Sequence, residues 1–150
     1  MNEENRIASI GWGSLVWDAR DLPLLSEWRK DGPSLPVEFA RESGGRRITL
    51  VICKDTPRVQ TLWAIADAVD VATARQQLGV REHQKASPEW IETEIGCWDK
   101  RSGRSHGGEA ETIVAWAEAK GLAGAVWTNL PCGFSAVALS PTDIEVVRIS

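Results

Sequence analysis

The order of strand and helix signals predicts an α+β protein, with its strands in a mixed sheet or small barrel flanked by short helices. Three observations carry that expectation. Apolar runs with strand character follow one another over short connections, and Ile48-Thr49-Leu50-Val51-Ile52 is nearly continuous and β-branched. Helical signals are few, and they do not alternate one for one with strands as a doubly wound parallel sheet requires. The chain has 150 residues, 43% of them hydrophobic, which suits one core and one domain over residues 1–150. A chain of this length buries roughly two-thirds of the surface it exposes when unfolded.

Taken in order, Arg6 to Trp12 alternates, with Ala8, Ile10 and Trp12 on one face of a strand and Ile7 and Ser9 on the other. Leu22 to Lys30 predicts a short helix, because Pro23 suits a first turn and Leu24, Leu25 and Trp28 fall at helical spacing. Leu35 to Ser43 and Arg46 to Lys54 predict two strands of a hairpin joined at Gly44-Gly45. After the Asp55-Thr56-Pro57 turn, Val59 to Ala66 predicts a strand with Val59, Thr61, Trp63 and Ile65 on one face. Asp70 then caps a helix carrying Val71, Ala74 and Leu78, and Gly79 is the expected stop.

Glu92 to Asp99 predicts another strand, and the basic Lys100-Arg101-Ser102-Gly103-Arg104-Ser105 segment a hairpin loop. That loop reads as solvated, with phosphate binding as the alternative. Glu109 to Lys120 is an amphipathic helix with Ile113, Trp116 and Ala117 inward and Gly121 as its stop. Gly124 to Thr128, Phe134 to Leu139 and Ile144 to Ile149 predict the remaining strands.

Composition narrows the function. The formal net charge of −4 argues against nucleic acid or an anionic membrane as partner, since both favour basic patches. No apolar stretch approaches the roughly 20 residues that span a bilayer. Met1-Asn2-Glu3-Glu4-Asn5 is polar and acidic, unlike a secretory leader. Cys53, Cys97 and Cys132 are far apart and odd in number, so neither a disulfide framework nor a zinc knuckle is suggested. A cytoplasmic location is the expectation. Eight Trp stand beside two Phe and no Tyr, which excludes any chemistry that needs a phenol. Most of these indoles are expected in the core.

Several constellations could carry chemistry. Gly11-Trp12-Gly13-Ser14-Leu15 lies at a strand exit, where glycines let the backbone turn sharply and leave amide N–H groups uncovered. Such amides can hold a carboxylate or a developing oxyanion. The competing reading is a tight turn closed by the Ser14 hydroxyl. Glu82, in Leu78-Gly79-Val80-Arg81-Glu82-His83, is expected to project from a loop just past a helix stop. In a partly apolar pocket its pKa would rise, which suits a general base. Alternatively it pairs with Arg81 or a lysine on the surface. His83 and His106 are the only histidines, too few for a His-rich metal site. Cys132 with a histidine, and the same-face pair Glu38 and Glu42, are weaker candidates for a nucleophilic and a glycosidase-like site.

The first two constellations, in this order, resemble the γ-glutamylcyclotransferase family. Trp12-Gly13-Ser14-Leu15 is similar to its Tyr-Gly-Ser-x-Leu motif, Gln60-Thr61-Leu62-Trp63-Ala64-Ile65 to its middle strand, and Leu78-Gly79-Val80-Arg81-Glu82 to the segment bearing its catalytic Glu. "GSLVWD", "LPVEFARESGGRRITLVI" and "AVWTNLP" look like a bacterial branch of unassigned activity within that superfamily. Motif support covers roughly residues 6 to 83. The chain departs from the pattern at Trp12, where the family usually has Tyr, and at Gly79, where it has Asp.

The resemblance implies a small mixed β-barrel with flanking helices and a substrate cavity at its mouth. It implies a reaction in which the α-amine of a γ-glutamyl group attacks its own γ-carbonyl, closing 5-oxoproline and releasing an amine or peptide. Glu82 would be the acid/base, and Trp12, Gly13, Ser14 and Leu15 would hold the small-molecule substrate. No metal or organic cofactor is implied. The alternative is a binding module that uses the same cavity without catalysis, and a third reading is a partner-binding domain with Trp exposed on one face.

Overall fold

The computed structural model describes residues 6–12, 14–17, 22–43, 47–52, 57–83 and 85–129. The expected strands at Phe134 to Leu139 and Ile144 to Ile149 lie outside them, as do Cys53, Cys132 and Gly13. The fold is α+β. Its centre is a five-stranded mixed sheet in the order β6 (Leu62–Ile65), β1 (Ile7–Gly11), β9 (Gly124–Thr128), β7 (Ile95–Asp99) and β8 (Arg104–His106). β1 runs parallel to β9, with Ile7 opposite Gly124 and Ser9 opposite Val126. The other neighbours in the sheet are antiparallel. β8, its outer strand, is three residues long and exposed throughout.

Helices cover both faces of this sheet, so its central strands are buried on both sides. On one face α2 (Val71–Glu82) packs Val71, Ala74 and Leu78 with Ile7, Val126 and Ile95. On the other, α4 (Ala110–Ala119) packs Ile113 and Ala117 with Ala8, Ile10, Trp63, Trp98 and Trp127. The alternation expected in the first strand therefore holds: Ala8, Ile10 and Trp12 belong to the α4 face and Ile7 to the α2 face.

Asp70 caps α2 as expected, its Oδ1 accepting from the Thr73 N–H at 2.8 Å. Gly79 does not end the helix, which continues to Glu82. A Cβ at Gly79 would come within 2.7 Å of Ile91 Cγ1, so the glycine serves close packing of α3 (Pro88–Glu94) instead of a stop. α3 occupies the start of the expected Glu92 to Asp99 strand. Ser87 accepts from the Trp90 N–H at 3.1 Å and Pro88 opens the first turn, so the helix runs to Glu94 and the strand begins at Ile95. α4 ends as the sequence suggests, with Gly121 at a φ of 72°.

The largest departure is Leu22 to Lys30, which forms no helix. It lies extended along β6, bridged at Leu24 to Ala66 and at Arg29 to Trp63. The Leu25 N–H donates to the Ile65 carbonyl at 2.7 Å, and the Arg29 N–H to that of Trp63 at 2.7 Å. Backbone bonding to an otherwise open strand edge outweighs local helical preference here.

Two expected strands are each broken once. Pro36 separates β2 (Ser34–Leu35) from β3 (Val37–Ser43), and Thr61 separates β5 (Val59–Gln60) from β6. β2 pairs with β5, and β3 with β4 (Arg47–Ile52), which is the expected hairpin. Thr61 is buried and its hydroxyl donates to the Pro33 carbonyl at 2.6 Å, whereas Val59 is exposed. The β3–β4 register shifts between Phe39 and Arg41, so the even spacing that placed Glu38 and Glu42 on one face no longer counts an unbroken alternation.

Candidate functional site

The exit of β1 builds one half of the site. β1 ends at Gly11, and a single helical turn, α1 (Ser14–Trp17), begins three residues later. Gly11 carries no side chain because two others occupy that space. A Cβ there would lie 2.8 Å from Trp28 Cη2 and 3.1 Å from Leu15 Cδ2. Leu15 is buried in the α2-side core and Trp28, half-buried, packs against the same core.

The end of α2 builds the other half. The helix runs in the direction of β1 and β9. At its start Val71 packs against Gly124, opposite Ile7, and near its end Gly79 packs against Ile95, which is opposite Thr128. Its last turn therefore reaches the end of the sheet where β1 exits. That turn carries Arg81 and Glu82, and Arg81 Nη1 donates to Glu82 Oε2 at 3.0 Å. Their side chains are only 6% and 16% exposed, so this is not a surface ion pair. Taking either partner away would leave a poorly hydrated charge.

Thus Glu82 is the final residue of a helix and not part of a loop, because Gly79 lies inside α2. It pairs with Arg81, as the alternative sequence reading has it, but the pair is shielded and not on the surface. Trp12 is 9% exposed and belongs to the core on the α4 face, across the sheet from α2 and Leu15. Strand alternation alone dictates this, since Trp12 continues the Ala8, Ile10 face. Ser14 opens α1 and Leu15 follows it.

Sequence reasoning missed two residues at this end of the sheet. Trp28 was hidden in a segment with helical spacing, and the one available signal was Gly11, whose missing side chain needs an occupant. Arg81 was visible, but its burial was not, because it depends on α2 extending past Gly79.

Cys97 is half-buried, and burial pushes its thiol above the ordinary 9.0, with the Arg75 and Arg104 guanidiniums pulling the other way. That disfavours a reactive thiolate. His83 packs edge-on against Trp90 with ring centroids 5.3 Å apart, and His106 Nε2 lies 3.2 Å from the Thr93 carbonyl. Lys100 to Gly103 form the β7–β8 hairpin turn, and the Arg101 N–H donates to Asp99. Among the described residues no helix is long and apolar enough to cross a membrane, and no cluster of His, Cys, Asp or Glu is placed to hold a metal ion. In comparisons with known proteins, no protein-family model, curated protein or solved structure matches the chain.

Proposed function

We propose that the protein is a γ-glutamylcyclotransferase-type enzyme, which cyclises a γ-glutamyl amine or peptide to 5-oxoproline and releases the amine. The observation that carries the reading is the shielded Arg81–Glu82 pair at the end of the sheet where β1 leaves through Trp12 to Leu15. A carboxylate withdrawn from water and fixed by a guanidinium is oriented for proton transfer.

In this mechanism Glu82 takes a proton from the substrate's α-ammonium. The amine attacks the γ-carbonyl of the same chain, and the carbonyl oxygen gains the charge. Glu82 returns its proton to the leaving nitrogen as the C–N bond breaks, and the second proton of the ring nitrogen passes to the departing amine, which leaves as its ammonium. Attack within one molecule gains from holding a single folded conformer, which is what a rigid strand exit and a helix end can provide.

The barrel architecture is part of the proposal. β5 and β6 are separated only by Thr61, and β2 and β3 only by Pro36, so pairings lead from the central sheet through β2–β5 to β3–β4. β4 ends at Ile52, whose Cγ2 lies 3.6 Å from the Cβ position of Gly108, just past β8 at the opposite side of the sheet. That approach supports closure.

The test is turnover of γ-glutamyl compounds by the wild type and Glu82→Gln. Release of 5-oxoproline should fall by about 10²–10⁴-fold in the variant, read on protein that still unfolds cooperatively, with the melting temperature lowered because the shielded Arg81 loses its counter-charge. A second reading, a binding module without catalysis, is favoured by the pairing of Glu82 itself, since a held carboxylate can be purely structural. It predicts ligand-dependent stabilisation with no turnover by the wild type.

A further inference from the structure

We infer that Gly107, Gly108 and Glu109, which join β8 to α4, form a flap that lifts from the Trp127 indole while the sheet stays folded. The flap belongs to the α4 face and stands apart from the Arg81–Glu82 pair.

Sheet register brings it to its place. Trp127 of β9 is opposite Gly96 of β7, and Cys97 of β7 is opposite His106 of β8. The indole reaches across β7 to the first residue past β8. A Cβ on Gly96 would lie 2.4 Å from Trp127 Cε2, so the ring covers that glycine. A Cβ on Gly107 would lie 3.1 Å from Trp127 Nε1 and 3.2 Å from Cζ2, so the ring edge that carries the N–H meets the flap. Trp127 is fully buried, and its Nε1–H has no hydrogen-bond acceptor among the described residues. Such a donor forfeits the bond it would make to water.

The flap's own backbone is held against its preference. Glu109 has a φ of 62°, in the left-handed region that a glutamate side chain disfavours, and it gives α4 no side-chain cap. Gly107, at a φ of 123°, provides a pivot at the β8 end.

Few bonds keep the flap closed. The Gly108 N–H donates to Asn129 Oδ1 at 2.8 Å. Ile52 Cγ2 lies 3.6 Å from the Gly108 Cβ position. Arg58 Nη2 donates to Glu109 Oε1 at 2.5 Å and to Thr112 Oγ1 at 3.2 Å. The Arg58 and Glu109 side chains are 46% and 24% exposed, so salt weakens this tie. Lifting the flap breaks these contacts, gives the indole N–H access to water and frees Glu109 from its left-handed turn. The chain on either side is better anchored. β8 is paired to β7 through His106, and Ile113 of α4 is fully buried in the core. Motion is therefore confined to the flap and the first turn of α4.

The test is hydrogen exchange by NMR on the full chain. It follows the Trp127 indole N–H, the Gly108 amide, and the β9 amides of Val126 and Trp127. The indole and Gly108 protons should exchange through one opening, about 10²-fold or more faster than the β9 amides once intrinsic rates are removed. Arg58→Ala, and high salt on the wild type, should each speed both by about two- to fivefold, the scale of a half-exposed ion pair. The β9 amides should not change. A wild-type indole proton as well protected as the β9 amides overturns the proposal, because it then exchanges only when the sheet unfolds. That outcome does not depend on any variant folding. Equal acceleration of all four protons by Arg58→Ala, or no acceleration of the indole proton, overturns it as well.

Discussion

The two faces of the central sheet differ in how they treat polarity. On the α4 face, indoles dominate, and two of them end on one residue. Trp63 Nε1 donates to Asp31 Oδ1 at 2.7 Å and Trp116 Nε1 to the Asp31 carbonyl at 2.9 Å. Lys120 bonds the other carboxylate oxygen of the same Asp31. On the α2 face, aliphatic packing stops at a shielded ion pair, Arg81 with Glu82. The first arrangement spends its polar groups on holding elements together. The second keeps ionisable groups at the end of a helix, at the end of the sheet where β1 exits. Stability and chemistry should therefore separate by face.

The largest effect that could break this division is on rate. If Glu82→Gln turned over γ-glutamyl substrate normally in a 5-oxoproline assay, the α2 face would lose its chemical role. A loss of about 10²–10⁴-fold is expected. On the α4 face, Trp63→Ala should cost about 3–5 kcal/mol in urea denaturation, because it empties a core position that is 1% exposed. The mutation should leave the rate of 5-oxoproline release by the residual folded protein unchanged, and a large loss of rate would blur the contrast.

Gly96→Ala should cost less, about 1–3 kcal/mol. Its Cβ would sit about 2.5 Å from Trp127 Nε1, and a buried indole has little room to give. A lowered midpoint at unchanged m-value is the expected readout. The smallest effect concerns acid. The hydrogen bond from Lys120, and next that from Trp63, hold the Asp31 carboxyl below its ordinary 3.8. Its contribution is therefore present above that ordinary value and is lost as pH falls through the lower folded one. The Asp31 side chain is 58% exposed, so the contribution is at most about 1 kcal/mol. Asp31→Asn should be slightly less stable than wild type at pH 6, and the difference should shrink on acidification below the carboxylate range.

How far the sequence could be read depends on where each signal originates. β1, the β3–β4 hairpin, β9, the Asp70 cap and the Gly121 stop were legible because each is written in neighbouring residues. Leu22 to Lys30 was not. The segment is tied to the Thr61–Ile65 stretch through the N–H groups of Leu25, Arg29 and Gly32, pairings that its neighbouring residues do not encode. Gly79 misled for a related reason: a glycine needed for contact with Ile91 looks the same in sequence as one needed for a turn. Of the proposed site, Glu82 and Leu15 were named from the motif resemblance. The indole on their side of the sheet was not, since Trp12 holds the motif position while strand alternation sends it to the other face. Trp28 reaches Gly11 only through a tertiary placement that no local pattern encodes.

The shortness of β8 has a consequence for concentrated solutions. A three-residue ladder bearing Arg104 and His106 offers an approaching copy few backbone groups and a repelling charge. At the other side of the sheet, the Leu22 to Lys30 segment already occupies the rim of β6. Edge-to-edge polymerisation of the central sheet is thereby discouraged at both of its sides, by truncation and charge on one and by a strand-like cover on the other.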